Sequence, residues 1–226
     1  MSKNVITGSR PDVVGCFHAG GTTHFHPARF DELERQSIGI ARILRTFNFK
    51  PESTILVVSI VPEVVQFAPF EKAVQHLGMY GINAESTNYD AGRIESIARQ
   101  FNTPGICGIG AASLEGLKMF GHDPAQVFAG RTIWARPDAY DAVKAMDGVD
   151  ARRIVILGPA VAYECAHGGL HYDSRDWSLS ESEGTLHLSS RMPRITPILD
   201  LDTSVAGKVL DTACTCGARE NLISVG

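Results

Sequence analysis

The chain begins with a short apolar run, DVVGCF (12–17), and then changes its period. From residue 28 to 47, Phe30, Leu33, Ile40, Ile43, Leu44 and Phe47 fall near helical spacing, and Lys50-Pro51 closes the stretch. TILVVSIV (54–61) is β-branched and unbroken, the mark of a strand buried on both faces. Phe67, Phe70, Val74 and Leu77 then trace a helix that stops at Gly78. The alternation continues with INAES (82–86) as a strand and with Asp90 capping a helix that carries Ile94, Ile97, Ala98 and Phe101. GICGIG (105–110) leads into a helix over 111–120, and RTIWA (131–135) precedes a helix over 138–146. RIVILG (153–158) is a further strand.

Beyond Gly158 the texture changes. WSLS, TLHLSS, PILDLD and NLISV are short, alternating and separated by turns. The expected fold class is therefore α/β: a mostly parallel sheet flanked by helices, followed by a small antiparallel β region. No Pro/Ser-rich linker divides the α/β core, 1–158, from the β-rich subdomain, 159–226, so the two are expected to pack closely.

Composition narrows the function classes. Among 226 residues, 44% are hydrophobic and 20% charged, the balance of a soluble globular protein. The net charge of −4, with no basic block, argues against nucleic acid as a partner. The polar N-terminus shows no secretory signal, and no apolar run reaches the length of a membrane span. Five cysteines, an odd number spread over a long chain, do not form a disulfide framework. A reducing cytoplasm is the expected compartment.

Two clusters carry candidate chemistry. In CFHAGGTTHFHP (16–27), a Gly-rich turn between a strand and a helix can aim backbone N–H groups at phosphate oxygens, with Thr22 and Thr23 adding hydroxyls. His24 and His26 alternate, so on an extended segment both face one side, where Cys16 or His18 could join them around a metal. The second cluster joins ECAHGGLH, with Cys165, His167 and His171, to the distant CTCG, with Cys214 and Cys216. Thiolates and imidazoles are the donors of a tetrahedral zinc site, and four protein ligands would make that zinc structural.

The order of these features resembles the adenylate-forming (acyl-CoA synthetase) superfamily, most of all its phenylacetate–CoA ligase branch, with some similarity to the acyl-protein synthetase branch. HAGGTTHFHP is similar to that family's phosphate-binding loop, S-S-G-T-T-G-x-P, which assigns Gly20, Gly21, Thr22 and Thr23 to phosphate binding. FKPESTILVVSIV and FNTPGICGIGAASLEGL resemble two of the branch's strand segments. GPAVAYECAHGGLHYDSRDWSLSESEGTLHLSS resembles its Glu-Cys, Gly-Leu-His and Gly-Glu-Leu stretch, and TPILDLDT and CTCGAR fall where it has its last two motifs. The resemblance covers most of residues 12–226 but only the middle of a usual member. It implies carboxylate activation by ATP and Mg2+, transfer to CoA, and a zinc held by Cys165, His171, Cys214 and Cys216, leaving His167 spare and exposed.

Departures from the family pattern set further expectations. His24 stands where the loop has glycine, and no lysine follows. VILGPA (155–160) lacks the carboxylate that helps hold magnesium, and the ribose-binding aspartate has only Asp200 and Asp202 nearby. The chain ends at Gly226, short of the family's C-terminal domain with its catalytic lysine, and an N-terminal portion is also missing. Each lost charge-stabilising group can cost about 2.7–4 kcal/mol at the transition state. Three functions fit this pattern. The first is a shortened ligase acting on a small-molecule carboxylate, with a partner supplying the missing domain. The second is an acyl transferase or cyclase that uses a thioester or adenylate, with His24 and His26 as general bases. The third is a non-catalytic subunit of a larger ligase or carrier protein. A homodimer is expected to cover the apolar surface that a shortened domain exposes.

Overall fold

A computed structural model of the protein describes residues 10–226; the start of the polar segment read above for a secretion signal lies outside the described residues. The chain first makes a hairpin, β1 (Val13–Ala19) and β2 (Thr22–Ala28), and then helix α1 (Phe30–Leu44). The parallel set follows: β3 (Thr54–Val58), α2 (Val64–His76), β4 (Tyr80–Ala84), α3 (Ala91–Gln100) and β5 (Gly105–Ile109). Helices α4 (Ala111–Met119) and α5 (Pro124–Phe128), strand β6 (Thr132–Ala135), helix α6 (Pro137–Lys144) and strand β7 (Asp150–Leu157) complete it. Antiparallel strands then run to the C-terminus: β8 (Ala160–Glu164), β9 (Leu170–His171), β10 (Trp177–Ser182), β11 (Thr185–Ser190), β12 (Leu201–Leu210) and β13 (Leu222–Val225).

Among the described residues, all strands outside the hairpin belong to one eleven-stranded sheet, ordered β10-β11-β12-β13-β9-β8-β7-β6-β5-β3-β4. Strands β4, β3, β5, β6 and β7 are parallel neighbours, and β7 turns antiparallel onto β8. Helices cover both faces of the parallel part. Ile40, Ile43 and Leu44 of α1 join Phe67, Phe70 and Val74 of α2 against Ile55, Val57 and Trp134 on one face. Ile94, Ile97, Leu117 and Val143 cover Leu56, Val58, Ile106 and Ile133 on the other. This is why TILVV reads as an unbroken apolar run: both faces of β3 are fully buried. Trp134 lies at the first of these cores, with its indole Nε1 donating to the Glu164 carbonyl at 3.0 Å.

Several boundaries differ from the sequence reading for local reasons. Strand β3 stops at Val58, because Pro62 opens a 3-10 turn, Val61–Glu63, and the Glu63 carboxylate accepts from the Ile60 N–H. Strand β4 starts two residues early, since its register pairs Thr54 with Tyr80 and Val58 with Ala84. Asp90 precedes α3 without capping it; its carboxylate accepts from the Glu85 N–H at 2.7 Å. The segment PILDLD is a strand only from Leu201, after Asp200 at φ +49°, and β12 continues to Leu210.

Candidate functional site

Turns at one end of β8 and β13 gather the cysteine and histidine cluster. Cys165 follows β8 in a tight turn closed by its N–H to the Gly169 carbonyl, and His171 lies in β9. Cys214 and Cys216 lie between β12 and β13, where the Gly217 N–H bonds the Cys214 carbonyl. The four ligand atoms fall within 4.8 Å of one another and can hold a metal ion. Cys165 Sγ is 3.7 Å from Cys214 Sγ, and Cys216 Sγ is 3.3 Å from His171 Nε2. His171 Nδ1 lies 2.8 Å from the Glu220 carbonyl, which can only accept; Nδ1 therefore carries the proton and Nε2 presents its lone pair inward.

The surroundings fit a bound cation. A Cβ on Gly169 would lie 2.6 Å from Cys214 Sγ and 3.0 Å from His171 Nε2, so only glycine leaves room beside the ligands. Burial and the neighbouring thiols Cys214 and Cys165 push the Cys216 thiol up to about 12, the expected cost of crowding sulfurs without a positive charge. The buried Glu220 side chain pairs with Arg42 of α1 and fixes the loop that orients His171. His167 is exposed and stands outside the cluster. Gly169, Glu220 and Arg42 escaped the sequence reading. Gly168-Gly169, between Cys165 and His171, was the one available signal.

The hairpin differs from the expected strand–loop–helix. Gly20 and Gly21, at φ +55° and +70°, form a two-residue turn between antiparallel strands, the turn that needs glycine at both positions. The tip is therefore not aimed by a helix N-terminus. The Gly20 N–H donates to Ser204 Oγ at 3.0 Å, while Thr22 and Thr23 are exposed, Thr23 within 2.9 Å of His18 Nδ1. Gln66 Nε2 donates to the Cys16 and Gly158 carbonyls and ties the hairpin to the β7–β8 turn. Phe17 and Leu201 lie against Gly158 as well. Thus the hairpin, the β7–β8 turn and the Asp200–Ser204 segment lie against one another. Asp200 and Asp202 are both engaged, with His187 Nδ1 at 3.1 Å and the Ser204 N–H at 2.8 Å.

His24 and His26 do share a face, stacked on and tilted against Phe17 with ring centroids at 5.0 and 6.0 Å. Cys16 and His18 point to the opposite face by strand alternation, so the expected metal contact with them does not form. Among the described residues the hairpin holds no ligand cluster. His24 Nε2 donates to the Ala19 carbonyl at 3.3 Å. Burial, aided by the positive charge of Arg194, lowers the His26 pKa to about 4, so it is neutral near pH 7 and a weaker base than expected.

No protein-family model matches the sequence, and no curated protein matches it. Solved structures match in fold. The chain resembles an open conformation of 2-hydroxyisobutyryl-CoA ligase in complex with 2-HIB-AMP and CoA, with TM-score 0.66, 10% identity, 93% of this chain and 55% of that chain covered. The postadenylation state of that ligase with 2-HIB-AMP gives TM-score 0.68 at 11% identity over 93% and 50%. This chain shares that CoA ligase's fold over about half of the ligase's length.

Proposed function

We propose that the chain is a phenylacetate–CoA ligase-like protein that acts on a small-molecule carboxylate, or on its acyl thioester or adenylate, in a cytoplasmic biosynthetic pathway. The supporting observation is the match of 93% of the chain to half of a ligase that carries 2-HIB-AMP and CoA. Its hairpin tip, β7–β8 turn and Asp200–Ser204 segment would line the pocket. Incubation with ATP and a panel of carboxylic acids should release pyrophosphate with at least one acid. Silence across the panel, with the protein folded, counts against this reading.

A second reading, an ATP-incompetent acyl transferase, cyclase or binding subunit, draws on one specific contact. Ser204 Oγ occupies the Gly20 N–H, and the 158–160 turn brings no carboxylate for magnesium. Under this reading CoA thioesters bind while ATP does not, and Ser204→Gly improves pyrophosphate binding by freeing the amide. Copurification with a larger ligase or carrier protein belongs to the same reading. A homodimer is proposed for either function. Tyr89, Met119 and Phe120 leave apolar surface exposed, and a clean monomer in size-exclusion chromatography at micromolar concentration would refute it.

The metal is proposed to be a structural zinc, held by Cys165, His171, Cys214 and Cys216. Three thiolates and one imidazole are the donor set zinc favours, and a tetrahedron with Zn–S bonds of about 2.3 Å has S–S edges of roughly 3.8 Å. The 3.7 Å separation of Cys165 and Cys214 agrees with this. The site lies at the opposite end of β8 from the hairpin, so zinc has no part at the proposed acyl pocket. Elemental analysis should give one zinc per chain, and cobalt exchange should give thiolate-to-cobalt charge-transfer absorption.

A further inference from the structure

Away from the hairpin tip and the metal centre, a groove of about 580 Å³ opens between α2, β1 and the carboxyl ends of β3 and β4. Val13 and Val14 form one wall, and Val64, Phe67 and Ala68 of α2 form another. Val61 at the mouth is 82% exposed, an apolar side chain with nothing covering it. The groove has the size and apolar lining of small-molecule sites.

Its charged groups are few, two of them negative and one positive. Glu71 lines the groove from α2, and its carboxylate accepts a single hydrogen bond, from Asn83 Nδ2 at 3.1 Å. Among the described residues no cation lies within ion-pair distance of Glu71. Glu85 adds a second negative charge at the rim. The one basic residue in the lining, Arg93, is paired with Asp90 at 3.1 Å. An apolar channel with a partly desolvated, uncompensated carboxylate is complementary to a positive charge on an apolar body.

We propose that this groove binds a small organic cation, a protonated primary amine on an apolar chain, with the ammonium at Glu71 and the chain along Val13, Val64 and Ala68. Burial already pushes the Glu71 carboxyl up, and an ammonium partner offsets that cost. The proposal does not depend on ligase chemistry, because the groove shares no residue with the Gly20–Thr23 turn or with Ser204.

Calorimetric titration of the full chain with hexylamine, hexanol and hexanoate at pH 7 tests it. Hexylamine should bind at least tenfold more tightly than hexanol, and hexanoate more weakly than either. Glu71→Gln should remove the amine preference and leave hexanol binding unchanged. Glu85→Gln at the rim should change amine affinity less than threefold, and Ala68→Trp, which fills the groove, should abolish binding of all three. Hexanoate binding as tightly as hexylamine would overturn the proposal. So would an unchanged preference in Glu71→Gln, or no amine binding by the folded wild type up to millimolar concentration. A dimer that Ala68→Trp dissociates would assign the groove to a second copy and overturn it equally.

Discussion

His26 shows how burial decides the chemistry of one side chain. With its pKa lowered to about 4 in the folded protein against 6.5 in the unfolded chain, the native state binds fewer protons between these values. The contribution of this site to stability is fully present above pH 6.5 and is lost as pH falls through 4. At about 1.4 kcal/mol per pKa unit, the difference is at most about 3–4 kcal/mol. Urea titrations between pH 4.5 and 7.5 should show this fall in the wild type, and His26→Gln should flatten the curve. At the metal centre, Gly169→Ala would put a Cβ 2.6 Å from Cys214 Sγ. We expect metal affinity to fall about 10- to 100-fold, the scale of other changes next to metal ligands, measurable by chelator competition.

Individual elements carry their own constraints. Gly108 bends the end of β5 at φ +97°, and a Cβ there would lie 2.2 Å from the Val58 carbonyl oxygen of β3. Strain and overpacking together should make Gly108→Ala destabilising by about 2–5 kcal/mol, read as a lower denaturant midpoint with unchanged slope. The element pattern itself was largely legible. Doubly buried runs such as TILVV and GICGI announce their strands, and the stripe on α1 announces its helix. The hairpin was not legible as a hairpin, because GGTT suits both a phosphate loop and a two-glycine turn, and only the pairing of Val13–Ala19 with Thr22–Ala28 decides between them. The four residues of the Cys/His cluster that can hold a metal ion were readable as residue types. Glu220, Arg42 and Ser204 were not, since each acts across more than 40 residues. The groove at Glu71 left no signal either, for it is an empty space between elements that the sequence does not describe.

At the scale of the molecule, one sheet passes from parallel to antiparallel pairing at β7. Its antiparallel half carries the Cys165–Cys216 cluster at one end, where the proposed zinc would act as a staple. Structural zinc in small metal-bound folds contributes about 10–16 kcal/mol of apparent binding energy. Removing it with a chelator, or by Cys214→Ser, should raise amide exchange in 165–171 and 212–222 first. Strands β3 and β5, buried on both faces, should stay protected; uniform exchange across the sheet would show that the metal stabilises the whole fold. A buried ionic cluster adds a second clasp: Asp176 accepts from Arg35 and Arg194, and the Arg194 guanidinium lies 3.7 Å over the Trp177 ring. Trp134 is placed differently. Its indole N–H is bound to the carbonyl of the residue just before Cys165. The chain has only two tryptophans, so a Trp177→Phe protein would emit from Trp134 alone. Its emission maximum and lifetime would then give an optical readout of whether the metal site next to it is filled.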